Sequence, residues 1–216
     1  MDEHSEPEAT DWSRLSLRRT PTQSRSRDKV SRAIRAAEDL VRREGVEAIS
    51  LPRVAAEAGV SVGALYQYLP DRDAITRAIV ARYHGRLEDL LDVVIDEMRA
   101  APDGPDPVGR VISAVAEIYR DEELARRLGA AAPASAEATA ARRAHKQRMA
   151  EKIQVLLEIV GLLDGMAAAQ AASVARVAFT ASDAVLHEAF AAPEPERPMM
   201  LAELQRMLRA SFDAPA

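Results

Sequence analysis

At 216 residues, 48% of them hydrophobic, the chain can build one large or two modest domains around a real core. It has no cysteine, which excludes disulfides and thiolate chemistry, and only nine glycines. Alanine, leucine, arginine and glutamate dominate, so an all-α protein is expected, and the elements taken in chain order below number about nine helices. The net charge of −5 is unevenly divided: residues 1–12 hold five acids and no base, while residues 13–72 hold twelve Lys or Arg against seven acids. Residues 73–216 return to −5. Positive charge therefore gathers where a phosphate backbone would need it. No charged-then-apolar leader opens the sequence, and long apolar runs are broken by residues such as Gln170 and Arg176. A soluble, cytoplasmic protein is expected.

Residues 1–27 are polar and proline-punctuated, without a lasting helical period, and read as a disordered arm. Its arginines at 14, 18, 19, 25 and 27 suit phosphates or a minor groove, though a solvated tail explains them equally well. Trp12 stands isolated there. Residues 28–72 are expected to form a three-helix head. Its first helix spans about Asp28 to Glu44, with Val30, Ile34, Ala37 and Val41 on one face and Gly45 stopping it.

The next stretch, SLPRVAAEAGVSVGALYQYLPDR at 50–72, is the most informative. Ser50 caps a helix that tolerates Pro52 in its first turn, and Val54, Ala55 and Ala58 form its apolar stripe. Gly59 ends it where a left-handed residue is usually required. Val60 turns inward, Ser61 caps the following helix, and Leu65 and Leu69 continue the buried face. This is a helix-turn-helix. Val62, Gly63 and Ala64 are small enough to let the backbone enter a major groove, and Gln67 suits an adenine edge. Ser50, Arg53, Ser61, Tyr66, Tyr68 and Arg72 complete the expected DNA-contact set, the last three suited to flanking phosphates. The plain alternative is a helical hairpin with exposed tyrosines.

Residues 73–216 are expected to form a helical effector-binding and dimerisation domain. Asp71 caps a long fourth helix to about Met98, with Ile75, Ile79, Tyr83, Leu87, Leu91 and Val94 inward. After the break APDGPDP at 101–107, a fifth helix runs from Pro107 to about Arg120, with Val108, Val111, Ile112, Val115, Ile118 and Tyr119 in phase. A short sixth holds Leu124 and Leu128. The seventh opens at Pro133 and Ser135 and reaches Val160. The eighth spans about Met166 to Ala191, and the ninth about Pro198 to Phe212.

Two constellations follow. Tyr83, Leu87, Ile112, Val115, Tyr119, His145, Met149, Ile153, Leu156, Val174 and Phe179 are candidates to line a pocket among the fourth to eighth helices. They suit an aliphatic or small amphipathic effector with His145 at its polar end, although plain core and a half-exposed histidine account for them too. Val174, Ala178, Ala181 and Val185 of the eighth helix, with Met200, Leu204, Met207 and Leu208 of the ninth, are the expected face for a two-fold four-helix dimer contact. The alternative is that this stripe packs on its own chain. Enzyme readings fail: the four histidines form no metal motif, and residue 191 is alanine where a zinc-protease helix beginning at His187-Glu188 needs its second histidine. No P-loop, dinucleotide fingerprint or nucleophile elbow is present, and no cofactor or metal is expected.

From about Asp28 to Leu91 the chain resembles the N-terminal domain of TetR-type transcriptional regulators, on the strength of RREGVEAIS followed by LPRVAAEAGVSVGALYQYLPDRDAI. It departs from the pattern in Leu69, where Phe is frequent, and in Arg72-Asp73, where Lys-Glu is frequent; both changes keep the chemistry. The resemblance implies a homodimer on a palindromic double-stranded DNA operator, released as a repressor by a small molecule. An activator, a ligand-independent regulator, and a protein-interaction module using the helix-turn-helix are the competing readings.

Overall fold

A computed structural model describes residues 12, 15, 17–101, 106–121, 128 and 135–213. Among them the chain is helical without strands: α1 Ser24–Glu44, α2 Leu51–Glu57, α3 Val62–Tyr66, α4 Arg72–Ala100, α5 Pro107–Asp121, α6 Ala136–Ile159, α7 Ala168–Ala191 and α8 Arg197–Asp213. A 3-10 turn, Val46–Ala48, joins α1 to α2. The helix expected around Leu124, Arg14 of the arm and most of the 101–107 break lie outside the described residues. So do the side chains of Ile118 and Phe212.

The chain divides into two compact units, residues 1–85 with 124–138, and residues 86–123 with 139–216. The division falls within α4, later in the sequence than the boundary expected at Arg72. Helix continuity explains the difference: no break in α4 marks where the first core stops drawing on its side chains.

In the first unit, Val30, Ile34, Ala37 and Val41 of α1 meet Val54 and Ala55 of α2, Leu65, Leu69, and Ile75 and Ile79 of α4 in one core. α1 starts four residues before Asp28, because the amides of Ser26 and Arg27 both donate to the Gln23 carbonyl at 3.0 Å. A first turn needs no apolar face, so the hydrophobic period could not reveal it. The disordered arm expected through residue 27 is corrected further: Leu15 is 5% exposed within this core, with Trp12 and Leu17 packed against it.

In the second unit, α5 packs on α7 and α8, which pack on each other. Ser135 caps α6, its hydroxyl accepting from the Ala138 amide at 3.0 Å. Gly161 and Gly165, with φ of +73° and +78°, turn the chain between α6 and α7. No helix among the described residues is long and apolar enough to cross a membrane.

Candidate nucleic-acid interface and effector cavity

The helix-turn-helix is held by local bonds. The Ser50 hydroxyl accepts from the Arg53 amide at 3.4 Å, and the Ser61 hydroxyl accepts from the Ala64 amide at 3.3 Å. Gly59 has φ +63°, and around it the Val60 amide donates to the Ala55 carbonyl at 2.9 Å and the Gly59 amide to that of Ala56 at 3.1 Å. This paired closure consumes the carbonyls that a helix end leaves open. Arg32 adds a long-range tie, its guanidinium donating to the Ala58 carbonyl at 3.1 Å.

The tip that results faces outward. Val62 is 43% exposed and Tyr66 50% exposed, although both are large and apolar in part. Ser61, Gly63 and Gln67 are also exposed, Ala64 and Tyr68 half-buried, and Leu65 buried beneath them. A methyl added at Gly63 would meet no protein atom within 4 Å. Burial of Leu65 and Leu69 thus fixes which arc of this short segment is left to a partner. Ser50 is half-buried and serves as a cap, so its hydroxyl is already engaged.

The two expected cationic contacts are engaged inside the head. Arg53 grips both carboxylate oxygens of Glu44, at 2.7 and 2.9 Å. Arg72 donates to Glu47 at 2.9 Å and to the Val46 carbonyl at 3.2 Å. The hydrogen bond to Glu47 raises the Arg72 pKa, and the Glu47 carboxyl is lowered in return. Exposed pairs of this kind contribute little net stability, so a phosphate can replace the carboxylate at small cost.

The second unit encloses a cavity of about 80 Å³. Leu87, Ile112, Val115, Tyr119, His145, Met149, Ile153, Leu156 and Phe179, all expected to converge, line it together. Tyr83 and Val174 do not. Tyr83 belongs to the first unit, its ring 5.8 Å from that of His84, and Val174 packs with Leu157, Leu163, Ala171 and Ala175. The walls are almost wholly apolar, with polar groups at Tyr119, His145, Ser182 and Asp183.

Tyr119, Asp183 and His145 belong to two networks that the sequence reading missed, while the Ser182 hydroxyl donates to the Ala178 carbonyl at 2.7 Å. The Tyr119 hydroxyl donates to Asp183 at 2.8 Å, and Lys146 donates to the other carboxylate oxygen at 2.9 Å. Burial alone would raise the Asp183 pKa, but hydrogen bonds from His187, Lys146 and Tyr119 hold it well below the usual range. His187 is raised by the same hydrogen bond against the opposing effect of its burial. Glu88, 1% exposed, accepts from His145 Nδ1 at 2.7 Å and from Arg148 at 2.8 and 2.9 Å. Burial pushes Glu88 up, yet the hydrogen bonds and charges of His145 and Arg148 bring it down to about 2. An ionised carboxylate only accepts, so Nδ1 of His145 carries the hydrogen. A weak signal for the first network existed: Asp183 and His187 stand one turn apart on the helix face that carries Phe179.

The face expected for dimerisation splits. Leu204 is buried within its own subunit, and Leu208 and Ala178 line the cavity. Their arc of α8 and α7 is used up by packing with α5. Ala181 and Met207 are exposed, and Met200, Val174 and Val185 are half-buried. Two exposed apolar residues were not anticipated, Val177 at 68% and Met199 at 63%. Nothing in the helical period distinguishes their arc from the inward one.

Comparison with known proteins agrees with this geometry. The family description "Bacterial regulatory proteins, tetR family" matches residues 33–79, and "Tetracyclin repressor-like, C-terminal domain" matches residues 105–210. Together they span more than half of the chain. No curated protein matches the sequence. Among solved structures, a TetR-family transcriptional regulator from Pectobacterium atrosepticum is 16% identical with a TM-score of 0.61, covering 90% of this chain and 100% of its own. A TetR-family transcriptional regulator from Streptomyces coelicolor is 19% identical with a TM-score of 0.58, covering 86% and 95%. A complex of SmeT with triclosan is 21% identical with a TM-score of 0.58, covering 87% and 95%. At these identities the likeness concerns the fold.

Proposed function

The chain belongs to the TetR family of bacterial regulatory proteins, and from that membership we propose that it is a repressor released from its operator by a small effector. It is a DNA-binding transcriptional regulator rather than an enzyme, working in the cytoplasm where its operator lies. The observation that carries the DNA reading is the open tip of α3: Val62 is 43% exposed and a Cβ added at Gly63 would meet nothing within 4 Å, above a buried Leu65. Val62 and Ala64 would meet thymine methyls, Gln67 an adenine edge, and Tyr66, Tyr68 and Arg72 the flanking phosphates.

One such head offers too little contact for useful affinity, so the functional unit is a homodimer. Its heads would read half-sites about one DNA turn, roughly 34–36 Å, apart, and the operator would be palindromic. The outward apolar residues of α7 and α8, with Ala181 and Met207 among them, are the surface we assign to pairing.

The cavity is the effector site in this reading. Its size admits about five to eight water-sized groups, which suits a short aliphatic or small amphipathic molecule. SmeT, of the same fold, is complexed with triclosan, which supports assigning a ligand role to the cavity. Leu87 and Leu91 of α4 line it, and the same helix begins at Arg72 behind the DNA tip. An effector would act by preferring the head spacing that does not fit the operator. Moving the population from nearly all bound to nearly all released needs about 5.5 kcal/mol of differential affinity.

Selection from a random duplex library, followed by footprinting, tests the reading. A protected palindrome with half-sites one turn apart is expected. Recovery of no sequence preference would overturn DNA regulation, and a preferred site unaffected by any short amphiphile would overturn effector release.

A further inference from the structure

The basic segment before α1 does not trail away from the head. Leu15 sits in the core of the first unit, and Pro21 is buried as well. Between them the Arg18 amide donates to the Tyr68 carbonyl at 3.0 Å, which fastens the segment to the chain just beyond α3. Arg27 closes the other end, its Nε donating to the Pro21 carbonyl at 3.2 Å. The segment is a strap with two anchors.

One of its arginines, Arg18, is held near the DNA tip, and Arg19 follows it in the chain. The Arg18 guanidinium lies 5.5 Å from the centre of the Tyr66 ring, and Tyr66 is one of the side chains assigned to flanking phosphates. Arg18, Arg19 and Thr20 are all exposed. Arg53 and Arg72 each hold a carboxylate, whereas Arg18 and Arg19 have no ion-pair partner among the described residues. Stacking on the tyrosine positions a cation without neutralising it. A charge held beside a groove-facing helix is worth more to binding than one on a free tail, because its ordering cost is met in the free protein.

We propose that the strap is a second DNA contact, in which Arg18 and Arg19 neutralise backbone phosphates beside the bases read by α3. This rests on the DNA-binding reading of the head. The contacts are to phosphate, so they add affinity and salt dependence and leave base preference unchanged.

The test uses the full chain and the duplex recovered by library selection, with dissociation constants measured by fluorescence anisotropy from 50 to 200 mM KCl. Wild type is compared with Arg18→Gln/Arg19→Gln, with Arg18→Lys/Arg19→Lys, and with Arg99→Gln on an exposed part of α4. The glutamine pair removes four charges from a dimer, and the slope of log affinity against log salt should become shallower by about 3.6. Affinity at 50 mM should fall at least tenfold, with the preferred sequence unchanged. The lysine pair should restore most of the slope, and Arg99→Gln should match wild type. A glutamine pair within half a slope unit and twofold in affinity of wild type would overturn the strap contact while leaving the head intact. A wild type that binds no duplex would instead sink the head reading. Circular dichroism and thermal melting guard the comparison, because both arginines are exposed and their loss should leave folding unchanged.

Discussion

Replacing Gly63 by alanine separates what the head needs to fold from what it needs to bind. Gly63 lies in the first turn of α3 with a φ outside the left-handed region, and an added Cβ meets nothing within 4 Å. The protein therefore has room for the methyl, and alanine is the better helix former by up to roughly 0.5–1 kcal/mol. For a chain of this size that raises Tm by a few degrees, at about 2–4 °C per kcal/mol. In the proposed complex the same methyl would stand on the groove-facing arc between Val62 and Ala64. Forcing a methyl into a close-packed contact costs about 1–3 kcal/mol, which weakens affinity roughly 5- to 150-fold. Thermal melting and anisotropy on one preparation read both effects. A variant that is more stable and binds unchanged would refute close approach of this backbone to base pairs. A variant that loses stability would refute the open tip itself.

Glu47→Gln should release Arg72 from its carboxylate, strengthening binding to mixed-sequence duplex and steepening its salt dependence; no change would mean that Arg72 does not reach phosphate. Glu88→Gln should cost about 2 kcal/mol at neutral pH, because a neutral amide cannot match the carboxylate's charge-assisted hydrogen bond to Arg148. The depressed Glu88 pKa supplies stability above its ordinary value of 4.5 that is lost as pH falls toward about 2. The gap between wild type and Glu88→Gln, followed by thermal melts, should therefore narrow over that interval, and a constant gap would contradict the network. Met207→Asp should give a folded monomer by sedimentation, whereas Leu204→Asp should fail to fold; a dimeric Met207→Asp would remove that residue from the pairing surface.

The head was legible because its determinants are local. Ser50, Gly59 and Ser61 act on amides and carbonyls within five residues, so their spacing in the sequence is already their geometry. Most of the cavity was legible for a related reason: a 3.6-residue period gathers Ile112, Val115 and Tyr119, or Met149, Ile153 and Leu156, onto one face. Period alone does not say where one core ends and the next begins along a straight helix, and that misplaced Tyr83, one turn before Leu87. It also does not choose between two apolar arcs, and α8 carries Met199 and Met207 on one and Leu204 and Leu208 on the other. Contacts across long loops left no trace. Glu88 finds His145 and Arg148 about sixty residues away, and the strap reaches Tyr68 through a backbone bond that no residue type announces.

One rod, α7, shows Phe179 and Asp183 to the cavity and Val177 and Ala181 to the outside. A residue at 179 of another size would reshape the cavity and shift the rod, carrying its outer flank along. In the proposed reading, guest and pairing partner are thus set by opposite sides of one helix.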